Sequence, residues 1–158
     1  MSRSLSAGAL LFLAPAAAFA TVLADWDLPE LLARADRVAI GTIGEKRTVL
    51  VEQAPMTETA VRVEETLFGA PVRALSISQL GGVIGGKRTW VDGDAELVRG
   101  AKMVLFTYEH RDGRTYLVGM SLGAFLISGD VLSQPASTST PTRTRSLAKL
   151  RALIGARR

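Results

Sequence analysis

Two apolar, strand-like runs joined by a glycine-dense passage constrain the fold of this chain most strongly. The runs occupy residues 75–80 and 102–108, and the passage between them begins Gly81-Gly82-Val83-Ile84-Gly85-Gly86-Lys87-Arg88. Four glycines in six residues relieve backbone sterics, which permits a positive φ or a close approach of two backbones. The sequence therefore predicts a bend or bulge between β-strands here.

The spacing of this passage, G-x-x-x-x-G-K-R, differs by one residue from the phosphate-binding loop G-x-x-x-x-G-K-[ST]. Arg88 stands where the loop needs a hydroxyl to bind Mg²⁺. The following residues, Thr89-Trp90-Val91-Asp92-Gly93-Asp94, are β-prone and end in a turn, whereas a phosphate loop must open a helix. We therefore predict that the passage is architectural and does not bind a nucleotide.

The chain has 158 residues, no cysteine and one histidine, His110. A chain of this length predicts one domain that buries its own core. Disulfides, thiolate chemistry and cysteine zinc sites are excluded, and a histidine metal cluster cannot form. No cofactor and no metal are predicted.

The N-terminal residues have the pattern of a secretory signal peptide. Arg3 precedes an uncharged apolar run over residues 5–18, which ends in the small-x-small pattern Ala18-Phe19-Ala20. A second possible cleavage site follows Ala24. The apolar run is too short for a comfortable membrane span, so we predict that residues 1–20 are cleaved and that the product is exported, either periplasmic or secreted.

Charge is unevenly distributed along the chain. Residues 21–132 hold 12 Lys and Arg against 15 Asp and Glu, a net charge of −3, whereas residues 133–158 hold six basic residues and no acid, a net charge of +6. The domain is therefore mildly acidic, and the high isoelectric point belongs to the tail. No nucleic-acid partner is expected from it.

A short helix is predicted at the start of the domain, over residues 28–36. Asp27 is its acidic cap, Pro29 lies in its first turn, and Glu30 stands three residues after the cap. Leucines at 28, 31 and 32 form one apolar stripe. We expect this stripe to cover one end of a β-core.

The remaining domain predicts a series of β-strands separated by turns. Strands are expected at residues 38–52, 57–66, 72–80, 102–108, 115–119 and 123–128. A turn is expected at Ala54-Pro55-Met56, and a hairpin loop at residues 109–114, where His110 is solvated. The run 102–108 is the most apolar and should lie at the centre of the sheet.

The C-terminal part divides into a linker and a basic amphipathic helix. Residues 133–145 are rich in Ser, Thr and Pro, which predicts a linker. In the tail, residues 146–158, Ser146 is expected to cap a two-turn helix with apolar positions Leu147, Leu150 and Ile154. This helix either docks on the domain or directs its basic residues to an anionic membrane or polymer. Docking is favoured, because the basic residues do not form one face.

Five segments together resemble a group of uncharacterised exported bacterial proteins. They are residues 35–43, 61–69, 81–82, 98–106 and 116–119, within a likeness that covers residues 27–127. More distantly, their order is similar to netrin-like and metalloproteinase-inhibitor domains. The resemblance implies a small OB-like antiparallel β-barrel. Together with the short N-terminal helix and the short C-terminal amphipathic helix predicted above, this gives a mostly β fold. Those inhibitors use a cysteine-tethered N-terminus, which this chain lacks, so no functional residue is carried over.

The predicted function is a non-catalytic, exported binding or interaction module whose partner is an envelope or extracellular protein or polymer. Seven residues in and after the glycine passage are the candidate binding residues: Gly81, Gly82, Lys87, Arg88, Trp90, Asp92 and Asp94. The alternative is a carboxylate-dependent hydrolase of the cell envelope. It would use the acidic cluster Asp92, Asp94 and Glu96, and it requires two carboxylates in one cleft with one pKa raised.

Overall fold

The structure is a computed structural model that describes residues 26–135 and 144–157. It is mostly β, as predicted, with two helices. The predicted signal peptide, and residues 136–143 of the predicted linker, lie outside the described residues.

The helices are α1 (Leu28–Arg34) and α2 (Leu147–Gly155). The strands are β1 (Arg37–Val51), β2 (Ala54–Phe68), β3 (Ala74–Leu80), β4 (Gly82–Ile84), β5 (Lys87–Thr89), β6 (Lys102–Glu109), β7 (Thr115–Leu117), β8 (Ala124–Ser128), β9 (Val131–Ser133) and β10 (Thr144–Ser146).

Helix α1 forms where the sequence predicts it, and its cap is the predicted one. The Glu30 N–H donates to Asp27 Oδ1 and the Asp27 N–H donates to Glu30 Oε2, both at 3.0 Å. This reciprocal capping satisfies two backbone donors that a helix start otherwise leaves free. The three leucines of its stripe are buried.

Strands β1 and β2 form a long antiparallel hairpin, and its turn differs from the prediction. Ala54-Pro55-Met56 is not a turn but the start of β2, with Pro55 opposite Leu50. The turn consists of Glu52 and Gln53, whose φ angles of 48° and 67° are both positive. A two-residue turn of this kind matches the twist of the strands, but it usually carries Asn or Gly, so these residue types gave no signal.

The strands form an eight-stranded sheet in the order β1-β2-β3-β7-β6-β8-β9-β10, and β1 also pairs with β6. Strand β6 lies at its centre, as predicted, because it pairs with β1, β7 and β8. Between β3 and β7 only Ile77 and Thr115 are bridged. The sheet is therefore not closed as a barrel, and what holds of the predicted fold is its mostly β character with two short helices.

Two hydrophobic cores lie on the two faces of β1 and β6. On one face lies the helix-covered core, in which Val38, Ile40, Val104 and Phe106 pack against both helices. On the other face a second cluster is formed by side chains of β1, β3, β6 and the segment before β6: Ile43, Ile77, Leu97, Met103 and Leu105. Alternate residues of the same strands thus face opposite cores, as the two-residue period of a strand requires.

The C-terminal tail is part of this fold. Strands β9 and β10 pair at the two ends of the predicted linker, where the composition had indicated no strand. Helix α2 starts at the predicted cap Ser146 and buries Leu150 and Ile154 in the helix-covered core, which confirms the docking alternative. Arg151 donates to both carboxylate oxygens of Glu65 at 2.6 Å. Contact of the basic tail with an anionic surface stays a prediction.

None of the helices in the described ranges is both long and apolar enough to cross a bilayer.

Candidate functional site

The glycine passage forms a small β-hairpin from β4 and β5. Gly85 and Gly86 make its turn with φ of 57° and 76°, a conformation that glycine adopts without steric cost. No helix follows, since β5 ends at Thr89. The prediction of a glycine-permitted bend between strands is confirmed.

The base of this hairpin is held against the β1–β2 hairpin. The Gly81 N–H donates to the Pro55 carbonyl at 2.9 Å, and the Val83 N–H donates to Thr48 Oγ1 at 3.1 Å. A β-carbon on Gly82 would lie 2.5 Å from Thr48 Cγ2, which is closer than atoms in contact can approach. Gly82 is therefore required by the close contact of two elements.

A groove of about 300 Å³ lies between the β4–β5 hairpin, the end of β3 and the middle of β1. We call it the hairpin groove. It is defined by Lys46, Thr48, Gly82, Arg88, Trp90 and Asp94. Five of the seven predicted binding residues line it: Gly81, Gly82, Arg88, Trp90 and Asp94. The other two, Lys87 and Asp92, are exposed and do not line it.

The hairpin groove combines exposed apolar side chains with charged ones. Trp90 is 54% exposed, and the Arg88 guanidinium lies 5.4 Å from the centre of its ring. Leu80 and Val83 line the same groove and are 57% and 55% exposed. Large apolar side chains grouped at one concave surface are typical of a binding site, whereas isolated ones are ordinary.

The fold alters the protonation of Asp94. Ala95 and Leu97 are buried in the second core, so Asp94 and Glu96 on either side of Ala95 line the hairpin groove. Burial raises the pKa of Asp94, although hydrogen bonds to its side chain, from the Gln79 side chain and from the Ala95 N–H at 2.9 Å, work in the opposite direction. The acidic cluster was visible in the sequence, but the burial of one member was not.

A second cavity, of about 320 Å³, adjoins the hairpin groove and shares Gln79, Leu80 and Asp94 with it. We call it the tyrosine pocket. The other residues that line it are Ser78, Tyr108, His110, Tyr116, Leu117 and Met120. None of its aromatic residues was predicted from the sequence to be a site residue. The signal was present, since Tyr108 and Tyr116 flank the predicted hairpin loop and are cross-strand partners in the register.

Outside the tyrosine pocket, an ion-pair network links the loop before β7 to the β1–β2 hairpin. Glu58 accepts hydrogen bonds from Arg47 at 2.8 and 2.6 Å and from Arg114 at 2.6 Å, and these lower its pKa. Asp112 accepts from the Arg114 N–H and the Tyr116 hydroxyl, each at 2.9 Å, and its pKa is lowered too.

His110 lies in the predicted loop, with its side chain about half exposed. Its Nδ1 is 3.2 Å from Asp112 Oδ1, and its ring meets the Tyr116 ring edge-on. Within residues 26–135 and 144–157, no three His, Asp or Glu side chains are grouped as a metal site requires.

Comparison of the chain with protein-family models and with curated proteins finds no match in either.

Proposed function

We propose that this chain is an exported, non-catalytic binding module that holds a segment of an envelope or extracellular protein or polymer in the hairpin groove. One observation carries the proposal: the groove brings together five of the predicted binding residues and exposes Trp90, Leu80 and Val83 at one concave surface. Exposed apolar surface of this kind costs free energy unless a partner covers it.

The charges of the groove suit a partner with a polar, extended surface. Lys46, Arg47 and Arg88 supply hydrogen-bond donors, and Asp94 and Glu96 supply acceptors along the same wall. Side chains of this kind fix the register of a ligand while an aromatic ring provides contact area.

Export and an OB-like arrangement are part of this proposal. The signal-like pattern of residues 1–20 supports export. The pairing circuit β1-β2-β3-β7-β6, which returns to β1, supports a partly open OB-like barrel, because five strands linked in this way approach closure. Such folds carry ligands on their open face and loops.

Co-sedimentation of residues 21–158 with the insoluble envelope fraction of the producing cell tests the proposal. Trp90→Ala and Arg88→Gln should each weaken binding by about tenfold, the effect of losing a buried aromatic or charged contact. Val131→Ala is the matched control, because Val131 is an exposed apolar residue on β9 that does not line the groove. Unchanged binding by Trp90→Ala would contradict the proposal.

A second candidate function, hydrolysis of the bound polymer, is favoured by the raised pKa of Asp94 beside Glu96 in the same groove. A carboxyl group that keeps its proton can serve as general acid while a second carboxylate acts as base or nucleophile. Soluble fragments released from the sedimented material distinguish the two functions. If Asp94→Asn and Glu96→Gln bind normally but release no fragments, whereas the wild type does, the module is an enzyme.

A further inference from the structure

The tyrosine pocket lies where the sheet fails to close. Strand β3 is bridged to β7 only at Ile77 and Thr115, and among the described strands its last three residues pair only with β2. Ser78, Gln79 and Leu80 therefore form one wall of the pocket, and Tyr116 and Leu117 of β7 form the opposite wall. The opening is a property of the topology, so it does not depend on one rotamer.

Aromatic rings form a continuous wall on the β6–β7 side. The Tyr108 and Tyr116 rings stack with centroids 5.9 Å apart and an interplanar angle of 27°. The His110 ring meets Tyr116 edge-on at 5.8 Å. The face of an aromatic ring carries a negative electrostatic potential and attracts a cation placed within about 6 Å of its centre.

Asp94 contributes a carboxylate at the opposite wall, which the pocket shares with the hairpin groove. None of the ion pairs between described residues involves Asp94. Lys46 is near enough to influence it, but burial outweighs this effect and the pKa of Asp94 is raised. A partly desolvated carboxylate without a bound cation is an unfavourable arrangement that a cationic ligand would relieve.

We propose that the tyrosine pocket binds an organic ammonium group, held between the Tyr108–Tyr116 wall and the Asp94 carboxylate. The remaining walls, Leu80, Leu117 and Met120, suit the alkyl substituents of such a group. A volume of about 320 Å³ limits the bound group to the size of a small molecule, because binding pockets start at about this size. This site lies beside the hairpin groove, and its ligand is independent of the partner proposed for that groove.

The neighbouring charges leave Asp94 available to a ligand. Arg114, two residues before Tyr116, is bound to Glu58 at 2.6 Å. The charged or titratable residues that line the two cavities together with Asp94 are Lys46, Arg47, Arg88 and Glu96 in the groove, and Tyr108, His110 and Tyr116 in the pocket.

Met120 supports a binding role for the pocket rim. Its φ of 59° is in the left-handed region, which a side chain larger than glycine adopts at a cost. The strained backbone places a flexible thioether side chain, 38% exposed, on the wall of the pocket. Methionine adapts its shape to irregular ligands.

Binding of a cation should be linked to the ionisation of Asp94. The ammonium group attracts the carboxylate form, so binding lowers the pKa of Asp94 and affinity rises as the pH rises through that pKa. Asp94→Asn removes this dependence. His110→Phe keeps an aromatic ring in the wall, so the pH dependence should persist in that variant.

Isothermal titration of the full mature chain with choline, and with its neutral isostere 3,3-dimethyl-1-butanol, tests the proposal. Choline should bind at least about tenfold more tightly than the isostere, since only the cation interacts with the rings and the carboxylate. Asp94→Asn and Tyr108→Leu should each weaken choline binding by about tenfold. Val131→Ala, which changes an exposed side chain that lines neither cavity, should leave it unchanged.

Two results would overturn the proposal: equal binding of choline and its isostere, or absence of choline binding to a folded wild-type chain. Tyr108→Phe separates loss of the ring from loss of the fold, because it keeps the ring and should bind choline as the wild type does. A parallel titration with Nα-acetyl-lysine methylamide identifies the source of the ammonium group. Tighter binding of that compound than of choline assigns the pocket to a lysine side chain of a peptide.

Discussion

At the scale of single residues, close contacts decide at which positions the fold requires glycine. Gly82 is required because any β-carbon would overlap the Thr48 side chain, whereas a β-carbon on Gly86 would meet no atom within 4 Å and only its φ of 76° disfavours a side chain. Lys87 follows Gly86 in the chain, is exposed and does not line the groove. Substitutions at these three positions therefore separate three contributions to the stability of one hairpin: steric overlap, backbone conformation and side-chain contacts.

We expect Gly82→Val to lower the free energy of unfolding by more than about 1 kcal/mol, because Thr48 or the hairpin must move. Gly86→Val should cost roughly 1 kcal/mol through its backbone conformation alone. Lys87→Ala should change stability by less than about 0.5 kcal/mol. Urea unfolding of the three variants measures this order, and a loss in Lys87→Ala equal to that in Gly82→Val would contradict the architectural interpretation.

At the scale of secondary-structure elements, α2 is stabilised by tertiary contacts. A helix of nine residues is marginal in water. Here Asp130 anchors its start, since Asp130 Oδ2 accepts from the Ser146 hydroxyl and Oδ1 accepts from the Ala148 N–H, both at 2.7 Å. Leu150 is fully buried in the helix-covered core. Packing and capping together make a short helix part of the domain.

Leu150→Ala should therefore destabilise the whole domain by about 2–5 kcal/mol, the usual cost of truncating a buried leucine. Lys149→Ala, one residue earlier and exposed, is the control and should stay within about 0.5 kcal/mol. Thermal unfolding followed by circular dichroism measures both. A Leu150→Ala domain that melts like the wild type would mean that α2 does not contribute to the core.

At the scale of the whole molecule, carboxylates join distant parts of the chain. Glu58 connects Arg47 of β1 with Arg114 before β7, and Glu65 connects β2 with α2. Hydrogen bonds from arginine lower the pKa of each carboxyl group. The largest effect comes from Arg47 for Glu58 and from Arg151 for Glu65. Asp94 is the opposite case, because burial raises its pKa.

These shifts predict the pH dependence of stability. A carboxyl group whose pKa is lowered in the folded state contributes its full stabilisation when the pH is above its ordinary pKa, which is 4.5 for Glu58. This contribution is lost as the pH falls through the lower pKa of the folded state. Glu58→Gln should lower the melting temperature at pH 7 by roughly 2–4 °C and flatten its decline on acidification. Asp94→Asn should not lower it at pH 7, because the ionised form of Asp94 is the disfavoured one. Scanning calorimetry between pH 3 and pH 7 measures both, and a larger loss at pH 7 in Asp94→Asn than in Glu58→Gln would refute the assignment.

Local signals in the sequence were sufficient for α1, for the central position of β6 and for the bend at the glycine passage. Asp27 and Glu30 cap a helix from three residues apart, and apolar alternation depends only on neighbouring residues. The β1–β2 turn was misplaced because Glu52 and Gln53 carry no turn signal. Strands β9 and β10 were not predicted, because each is only three residues long and forms by pairing with a neighbouring strand.

The sites depended on the tertiary structure far more than on the local pattern. The sequence by itself determined which residues carry charge, aromatic rings and flexible backbone, and it singled out the acidic and glycine-rich segments. Only the fold decided that Asp94 is desolvated between two cavities, that Lys87 and Asp92 lie outside the groove, and that two tyrosines line an opening in the sheet. Burial and electrostatic environment are set by residues distant in sequence, because a carboxylate loses water only when other segments pack around it.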